Sequence, residues 1–242
     1  MIVVRIQGGL GNQMFQYACG LSVARAKGVP MKLDLSWFDE VQDGAPRPYQ
    51  LGVFNITTPV AAPHDFLRAG IPSQRRNLLA TLVRKAIRFL DNHRTLSRRR
   101  VVLEPGTTFL PELFNVRDNC LLNGNWQSEK YFSSIADTIR KEFTLKNGFG
   151  VEAEKFARMI QEEKRGVPVS LHIRRGDSVS IAHSMNFHGS PDISYYRDAV
   201  KLMREKVGNP VFYVFSDDIP WVEEHLLPEL MPAVVVSSPG IK

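Results

Sequence analysis

Two adjacent arginines follow a strand-like run in the second half of the chain. The run is centred on residues 167–173 and leads directly into Arg174, Arg175, Gly176 and Asp177. Each planar guanidinium can bind phosphate oxygens through paired hydrogen bonds, and neither loses its charge near neutral pH. Gly176 permits a tight turn, and Asp177 can hold one guanidinium by a salt bridge. The alternative interpretation is a surface Arg–Asp pair that binds no ligand.

Other polar side chains stand at the ends of predicted strands. His172 lies two residues before Arg174, so the two share one face of a strand, where His172 is either a structural residue or a second ligand contact. Asp217 and Asp218 follow the strand predicted at 211–215. Carboxylates that face a ligand are expected at the carboxyl end of a parallel strand. The alternative is that they cap the helix that begins near Pro220.

A glycine-rich loop lies between the first predicted strand and the first predicted helix. Its residues Gly9, Gly11, Asn12 and Gln13 imitate the dinucleotide-binding fingerprint, but Met14 replaces the glycine that permits close helix–strand packing. With Asn12 as the helix N-cap, the loop offers backbone N–H groups and neutral amides. These groups suit sugar hydroxyls or a diphosphate.

The sequence contains no Asp-x-Asp motif. A transferase of this plan would therefore neutralise its departing diphosphate with arginines and helix N-termini instead of a divalent metal ion.

The order of predicted elements indicates a doubly wound α/β fold. Strand, helix and strand alternate over the first forty residues and again after residue 166, as expected for parallel sheets. We predict an N-terminal domain at 1–150 and a C-terminal domain at 151–242. A basic helical insertion is expected at about 64–100.

Positive charge is concentrated in that insertion. Residues 75–100 carry nine of the 31 basic residues and one of the 25 acidic ones, which leaves 22 basic against 24 acidic residues elsewhere. The leucines there recur at helical spacing and predict a basic amphipathic helix. It either packs on the protein body with a solvated charged face or lies on an anionic membrane surface. Nucleic acid is not expected as a partner, because no aromatic residues are interleaved with the basic ones.

The composition is that of an ordinary globular protein, with 43% hydrophobic and 23% charged residues among 242. Cys19 and Cys120 lack metal-ligand spacing, so we expect two buried free thiols and no metal site. The chain begins on a strand and not on a signal peptide, and no run approaches the ~20 apolar residues of a membrane span. A cytoplasmic protein is expected, with possible contact to the inner membrane through residues 75–100.

Several stretches closely resemble the α-1,2-fucosyltransferases of glycosyltransferase family 11, and they come in the order found in that family. They are Ile6–Ala18, Trp126–Phe132, His172–Asp177, His188–Gly189 with Tyr195–Tyr196, and Phe215–Asp218. The resemblance implies a GT-B type fold of two Rossmann-like domains. It also implies inverting transfer of L-fucose from GDP-fucose to the 2-hydroxyl of a galactose-terminated or lipid-linked glycan, without a metal or other cofactor.

The resemblance also implies roles for single residues. Arg174 and Arg175 would bind the pyrophosphate, His172 would lie near the nucleotide, Asp177 would support the motif, and Asn12 would orient donor or acceptor. The expected catalytic residues are Asn12, Arg174 and Asp177. The expected substrate-binding residues are Gly9, Gly11, Gln13, His172, Arg175, His188 and Asp217. Asp177, His188 and Asp217 remain alternative candidates for the general base.

Two other functions stay open at this point. The family's Asn-Ser-x-Phe-Ser-Trp-Trp-Gly stretch does not occur in the chain. The C-terminal domain is therefore expected to be incomplete, and a nucleotide-sugar binding module without turnover is the second hypothesis. An NAD-dependent enzyme that uses the glycine loop is the third.

Overall fold

The computed structural model describes residues 1–39, 47–71, 78–175 and 191–236. The chain divides into two compact units between Gly148 and Phe149. This division lies two residues before the domain boundary that we placed after residue 150. Each unit contains its own parallel sheet.

The sheet of the first unit has the strand order β2-β1-β4-β3. Its strands are β1 (Ile2–Arg5), β2 (Met31–Asp34), β3 (Val101–Leu103) and β4 (Cys120–Asn123). All neighbouring strands are parallel, so every strand ends at the same edge of the sheet. The loops that follow β1 and β4 are therefore neighbours.

Helices cover both faces of this sheet. They are α1 (Leu10–Ala26), α2 (Pro63–Arg68), α3 (Leu78–Asn92) and α4 (Ala136–Glu142). On one face, α1 packs against Ile2 and Val4. On the other face, Phe66 of α2 and Ile87 of α3 pack against Val3. Alternate residues of β1 thus serve two cores, as expected for a doubly wound sheet.

Helix α1 approaches β1 most closely at Gly20. A Cβ atom built there would lie 2.1 Å from Cγ2 of Val4 and 3.0 Å from Sδ of Met31. Close helix–strand packing is the task of the third glycine in a dinucleotide-binding loop. In this chain Met14 occupies that position, and Gly20 permits the close approach instead.

The start of α1 corrects the prediction for Asn12. The helix begins at Leu10 with Gly9 as its N-cap, so Asn12 lies inside the first turn and does not cap the helix. Gly8 precedes this turn with φ +74°, a backbone conformation that glycine adopts without strain. Gly28, with φ +64°, follows the helix at the position where a left-handed glycine often ends one.

The sheet of the second unit has the order β5-β6-β7, with all strands parallel. Its strands are β5 (Val167–Ile173), β6 (Pro210–Ser216) and β7 (Ala233–Val236), and its helices are α5 (Val151–Gln161), α6 (Ile193–Lys206), α7 (Ile219–His225) and α8 (Leu227–Leu230). The central strand β6 is buried from residue 210 to 214. Ile173 pairs with Ser216 in register, which places the loops after β5 and β6 side by side.

These observations confirm the α/β class with parallel sheets and most of the predicted strands. The second core is formed where α6 and α7 pack on β6, through Tyr196, Val200, Phe212 and Val222. Among the residues that the structure describes, no helix has the length and apolarity that crossing a membrane requires.

The close approach at Gly20 predicts a stability difference between two glycines of one helix. The change Gly20→Ala places a methyl group against Val4 and should destabilise the protein by about 2 kcal/mol. Gly11→Ala is the matched control, since no atom outside its immediate neighbourhood lies within 4 Å of its added Cβ. Urea unfolding measures both variants. Equal stability of the two would contradict the packing described for α1.

Candidate functional site

The guanidinium of Arg175 is held between two residues of the segment that follows β6. Its Cζ lies 3.9 Å from the centroid of the Trp221 ring, and its Nε donates to Oδ2 of Asp218 at 3.3 Å. The side chain is 19% exposed. A cation–π contact and an ion pair thus fix this charge at the carboxyl edge of the sheet.

The two aspartates after β6 both contribute to this arrangement. Oδ1 of Asp217 accepts the backbone N–H of Arg175 at 2.7 Å, and Oδ1 of Asp218 accepts that of Trp221 at 3.3 Å. Asp218 is therefore the N-cap of α7, the capping role that the sequence left open. Asp217 is exposed, and its Oδ1 positions the backbone of Arg175, while its predicted contact with substrate stays a prediction.

Arg174 and His172 are both exposed at the end of β5. Val169, Leu171 and Ile173 point into the core of the second unit, so His172 lies on the opposite face of the strand. Arg174 follows the last strand residue and precedes the fixed Arg175. The predicted site residues Asp177 and His188 lie outside the described residues.

The ring of Trp221, which contacts Arg175, is itself in contact with a second ring. The imidazole of His225 stacks on Trp221 with centroids 5.0 Å apart and an angle of 12° between the planes. Tyr196 also contacts Trp221, with ring centroids 6.5 Å apart, and burial raises the pKa of its phenol. Sequence reasoning missed Trp221 as a partner of Arg175. The sequence feature that could have indicated this contact is an aromatic residue in the first turn of the helix that follows Asp217 and Asp218.

The glycine loop of the first unit presents the N-terminus of α1 at the end of β1. No side chain caps this helix, and its first turn contains no acidic residue. Asn12 is half-buried in that turn, and its Oδ1 accepts Nε2 of the exposed Gln127 at 2.6 Å. Gln127 belongs to the loop after β4, so this hydrogen bond joins the two neighbouring strand ends.

Gln13 is fully buried, with 0% exposure. Its Nε2 donates to the carbonyl groups of Gly8 and Pro48, both at 2.9 Å, and its Oε1 accepts the backbone N–H of Gln50 at 2.9 Å. The amide is thus used within the protein. Gln13 therefore binds the backbone of the glycine loop through Gly8. This geometry favours a positioning role for Gln13 over the predicted contact with substrate.

One helical turn later, Gln16 makes a second set of buried amide contacts. Its Oε1 accepts the backbone N–H of Gln7 at 2.9 Å, and its Nε2 donates to the carbonyl of Gln7 and to Oδ1 of Asn125. Sequence reasoning missed Gln16. The sequence feature that could have indicated its role is its position three residues after Gln13, which places the two amides on one side of the helix.

Glu104 sets the path of the loop after β4. Its two carboxylate oxygens accept the backbone N–H groups of Asn125 and Trp126 at 2.7 and 3.0 Å. Trp126 is buried with φ +53°, and a Cβ at Gly124 would lie 2.4 Å from Glu104. The predicted motif that begins at Trp126 thus has a buried anchor and presents Gln127 to solvent.

The described residues contain no group of three or more His, Cys, Asp or Glu side chains suited to a metal ion. Cys19 and Cys120 are buried free thiols, as predicted. Burial raises the pKa of both, that of Cys120 to about 12, so neither is a nucleophile at neutral pH.

Each unit therefore has its own chemistry at a strand-end edge. The second unit offers a fixed guanidinium beside an exposed arginine, which is suited to an anion with several oxygens such as a diphosphate. The first unit offers a helix N-terminus and neutral amides, which are suited to hydroxyl groups and to partial negative charge.

Comparison with known proteins identifies relatives that span most of the chain. The model of glycosyl transferase family 11 matches residues 112–232. An α-1,2-colitosyltransferase of Escherichia coli is 30% identical over 235 residues, which are 93% of this chain and 71% of that protein. The O-antigen biosynthesis glycosyltransferase WbnK of the same organism is 30% identical and is covered to 73%.

More distant matches include mammalian enzymes and solved structures. The galactoside 2-α-L-fucosyltransferase Sec1 of Mus musculus is 27% identical, and this chain spans about half of its length, 52%. The α-1,6-fucosyltransferase NodZ, co-crystallised with GDP, has 12% identity and a TM-score of 0.49 over 98% of this chain and 78% of that one. From its family match and its relatives at 30% identity, the chain belongs to glycosyltransferase family 11.

Proposed function

We propose that the protein transfers L-fucose from GDP-fucose to the 2-hydroxyl of a galactose-terminated glycan, with inversion at the sugar. The observation that carries the proposal is the fixed guanidinium of Arg175 beside the exposed Arg174 at the end of β5. Family membership supports glycosyl transfer. The α-1,2 linkage is supported by the names of the colitosyl and fucosyl relatives.

The arginines are assigned to the leaving group. As the bond between C1 of fucose and the β-phosphate oxygen breaks, its electron pair moves to the diphosphate, which becomes more negative. A guanidinium that binds the departing diphosphate more tightly than the intact donor lowers the barrier, by about 3 kcal/mol for a preorganised donor. In this proposal Arg174 contacts the diphosphate, and Arg175 supplies a second, positioned charge.

The fixed position of Arg175 is what makes it suitable for this role. A free arginine side chain loses up to ~2 kcal/mol of rotamer entropy when a ligand orders it. Asp218 and Trp221 have already ordered this one, so less entropy is lost when the donor binds. The contact with Asp218 uses Nε of Arg175, so the proposal assigns the two terminal NH₂ groups to the phosphate oxygens.

The glycine loop is assigned to the sugar hydroxyls. Asn12 lies at the helix N-terminus, with Gly9 and Gly11 leaving the backbone accessible around it. Its Oδ1 is engaged by Gln127, so its amide N–H₂ remains suited to donate to a sugar oxygen. Attack by the acceptor oxygen on C1 from the face opposite the diphosphate inverts the carbon and releases one proton. Asp177, His188 and Asp217 remain the candidates for the base that takes this proton.

Transfer of colitose is a second candidate for the reaction. It is favoured by the E. coli α-1,2-colitosyltransferase, which is 30% identical over 93% of this chain. The proposed roles of the arginines are the same for both sugars, because the leaving diphosphate does not depend on the sugar that is transferred.

Incubation with GDP-fucose and lactose tests the reaction. We expect release of GDP and lactose fucosylated at the 2-hydroxyl of its galactose. The rate should be unchanged by excess EDTA, because the proposal assigns the diphosphate charge to arginines. Binding of GDP-fucose without release of GDP would favour a binding module instead. A rate that EDTA abolishes and Mg²⁺ restores would contradict the assigned role of the arginines.

Arg174→Ala should weaken GDP-fucose binding by about tenfold or more, since one charge-assisted phosphate contact is lost. Arg158→Ala, which removes an exposed arginine from α5 of the same unit, is the matched control and should leave affinity unchanged. Isothermal titration with GDP-fucose measures both. Unchanged affinity in Arg174→Ala would remove the diphosphate assignment.

Trp221→Leu tests the positioning of Arg175. It removes the ring below the guanidinium while keeping an apolar side chain, and should weaken GDP binding by about fivefold. Trp221→Phe keeps an aromatic face and should restore most of the affinity. A purely structural role would lower the thermal unfolding midpoint of Trp221→Leu without changing its affinity for GDP, and that result would contradict the assignment.

A further inference from the structure

Helix α3 has one broad apolar side, and only the edge of it at Ile87 is buried. Ile87 and Asp91, four residues apart, point inward with 5% and 2% exposure. Next to this inner face lies an exposed apolar set that we call the outer stripe. It consists of Leu82, Val83, Ala86, Phe89 and Leu90, which recur at helical spacing.

The exposure of the outer stripe is large for apolar side chains. The exposed fractions are 63% for Leu82, 67% for Phe89, 48% for Leu90 and 40% for Val83. Scattered exposed leucines are common on proteins, but four large apolar side chains on one side of a 15-residue helix form a continuous patch. Such a patch marks a contact surface.

The helix is fixed to the first unit with this patch turned outward. Oδ2 of Asp91 accepts the backbone N–H groups of Arg100 and Val101, both at 2.9 Å. Ile87 packs in the core against Val101 and Leu121. These contacts bind the inner face to β3 and β4, so the outer stripe does not turn inward to join that core.

Basic side chains border the outer stripe. Lys85 and Arg88, three residues apart, are exposed along its flank, and Arg98 is exposed in the turn beyond the helix. The segment from residue 78 to 100 contains one acidic residue, Asp91, and that side chain is buried. Asp91 pairs with Arg94 at 3.4 Å, so the segment has no second carboxylate to neutralise Lys85, Arg88 or Arg98.

This charge pattern discriminates between possible occupants of the stripe. In a two-fold symmetric dimer the same patch faces itself, which would bring Lys85 and Arg88 close to their own copies. At an anionic bilayer surface, the apolar side chains of the stripe can enter the acyl-chain boundary, and the flanking cations can pair with negative headgroups. Helices that lie in a membrane interface show this combination of exposed Leu and Phe with Lys and Arg at the sides.

We propose that the outer stripe of α3 and its flanking cations dock the protein on the surface of a membrane that contains anionic lipid. Leu82 and Phe89 enter the headgroup boundary, and Lys85 and Arg88 pair with lipid phosphates. The helix lies along the surface, because its inner face stays bound to the sheet. This inference does not depend on which sugar the protein transfers.

Co-sedimentation of the full chain with vesicles tests the proposal. We expect binding to vesicles of phosphatidylcholine with about one third phosphatidylglycerol, and weak binding to phosphatidylcholine alone. Leu82→Gln with Phe89→Gln should reduce binding by about tenfold. Lys85→Gln with Arg88→Gln should reduce it by about 25-fold, since each cation near an anionic surface contributes about fivefold.

The matched controls replace exposed residues of the same kinds, two apolar and two basic, on helices of the second unit. Val151→Gln with Leu202→Gln replaces two exposed apolar residues, and Lys201→Gln with Lys206→Gln removes two exposed charges. Both should bind vesicles as the unaltered protein does. Circular dichroism verifies that each variant is folded.

Three results would overturn the proposal. The first is no binding of the unaltered protein to anionic vesicles. The second is an equal loss of binding in the variants of α3 and in the controls. The third is a dimer in light scattering that the Leu82→Gln, Phe89→Gln variant abolishes while vesicle binding persists, which would assign the stripe to a second copy of the chain.

Discussion

The contact between Arg175 and Trp221 organises the candidate site of the second unit. It joins the segment after β5 to the helix after β6, and the ion pair with Asp218 adds a second point of attachment. A partly buried cation requires a partner of opposite charge, and the parallel register supplies one by ending both strands at the same edge. The neighbouring Arg174 is exposed at the same strand end.

The first unit uses the same edge of a parallel sheet but a different chemistry. Gln13 and Gln16 are buried amides that bind the backbone of the glycine loop, and Gln16 also binds Asn125 in the loop after β4. Asn12 and Gln127 are left at the surface of this framework.

Helix α3 shows how one amphipathic pattern can serve two surfaces. Its sequence predicts a basic amphipathic helix, and both open interpretations apply in part. The face with Ile87 packs on the protein body, while Leu82 and Phe89 remain exposed beside the cations. A helix of this kind has more apolar circumference than one sheet face can cover, because a sheet contacts only about a third of a helix surface.

The α/β class, most of the strands and the residues at the strand ends follow from the amino-acid sequence alone, because hydrophobic period, segment length and turn residues are local properties. The sequence also predicted that Arg174, Arg175 and Asp217 lie at one edge of a sheet, since parallel strands have their carboxyl ends at the same edge. It did not predict that Arg175 lies on Trp221, that Gln13 is buried, or that Gly20 and not a loop glycine permits the close approach of α1. These features depend on contacts between residues that are 16 to 46 positions apart in the sequence, so local patterns do not predict which side chains meet.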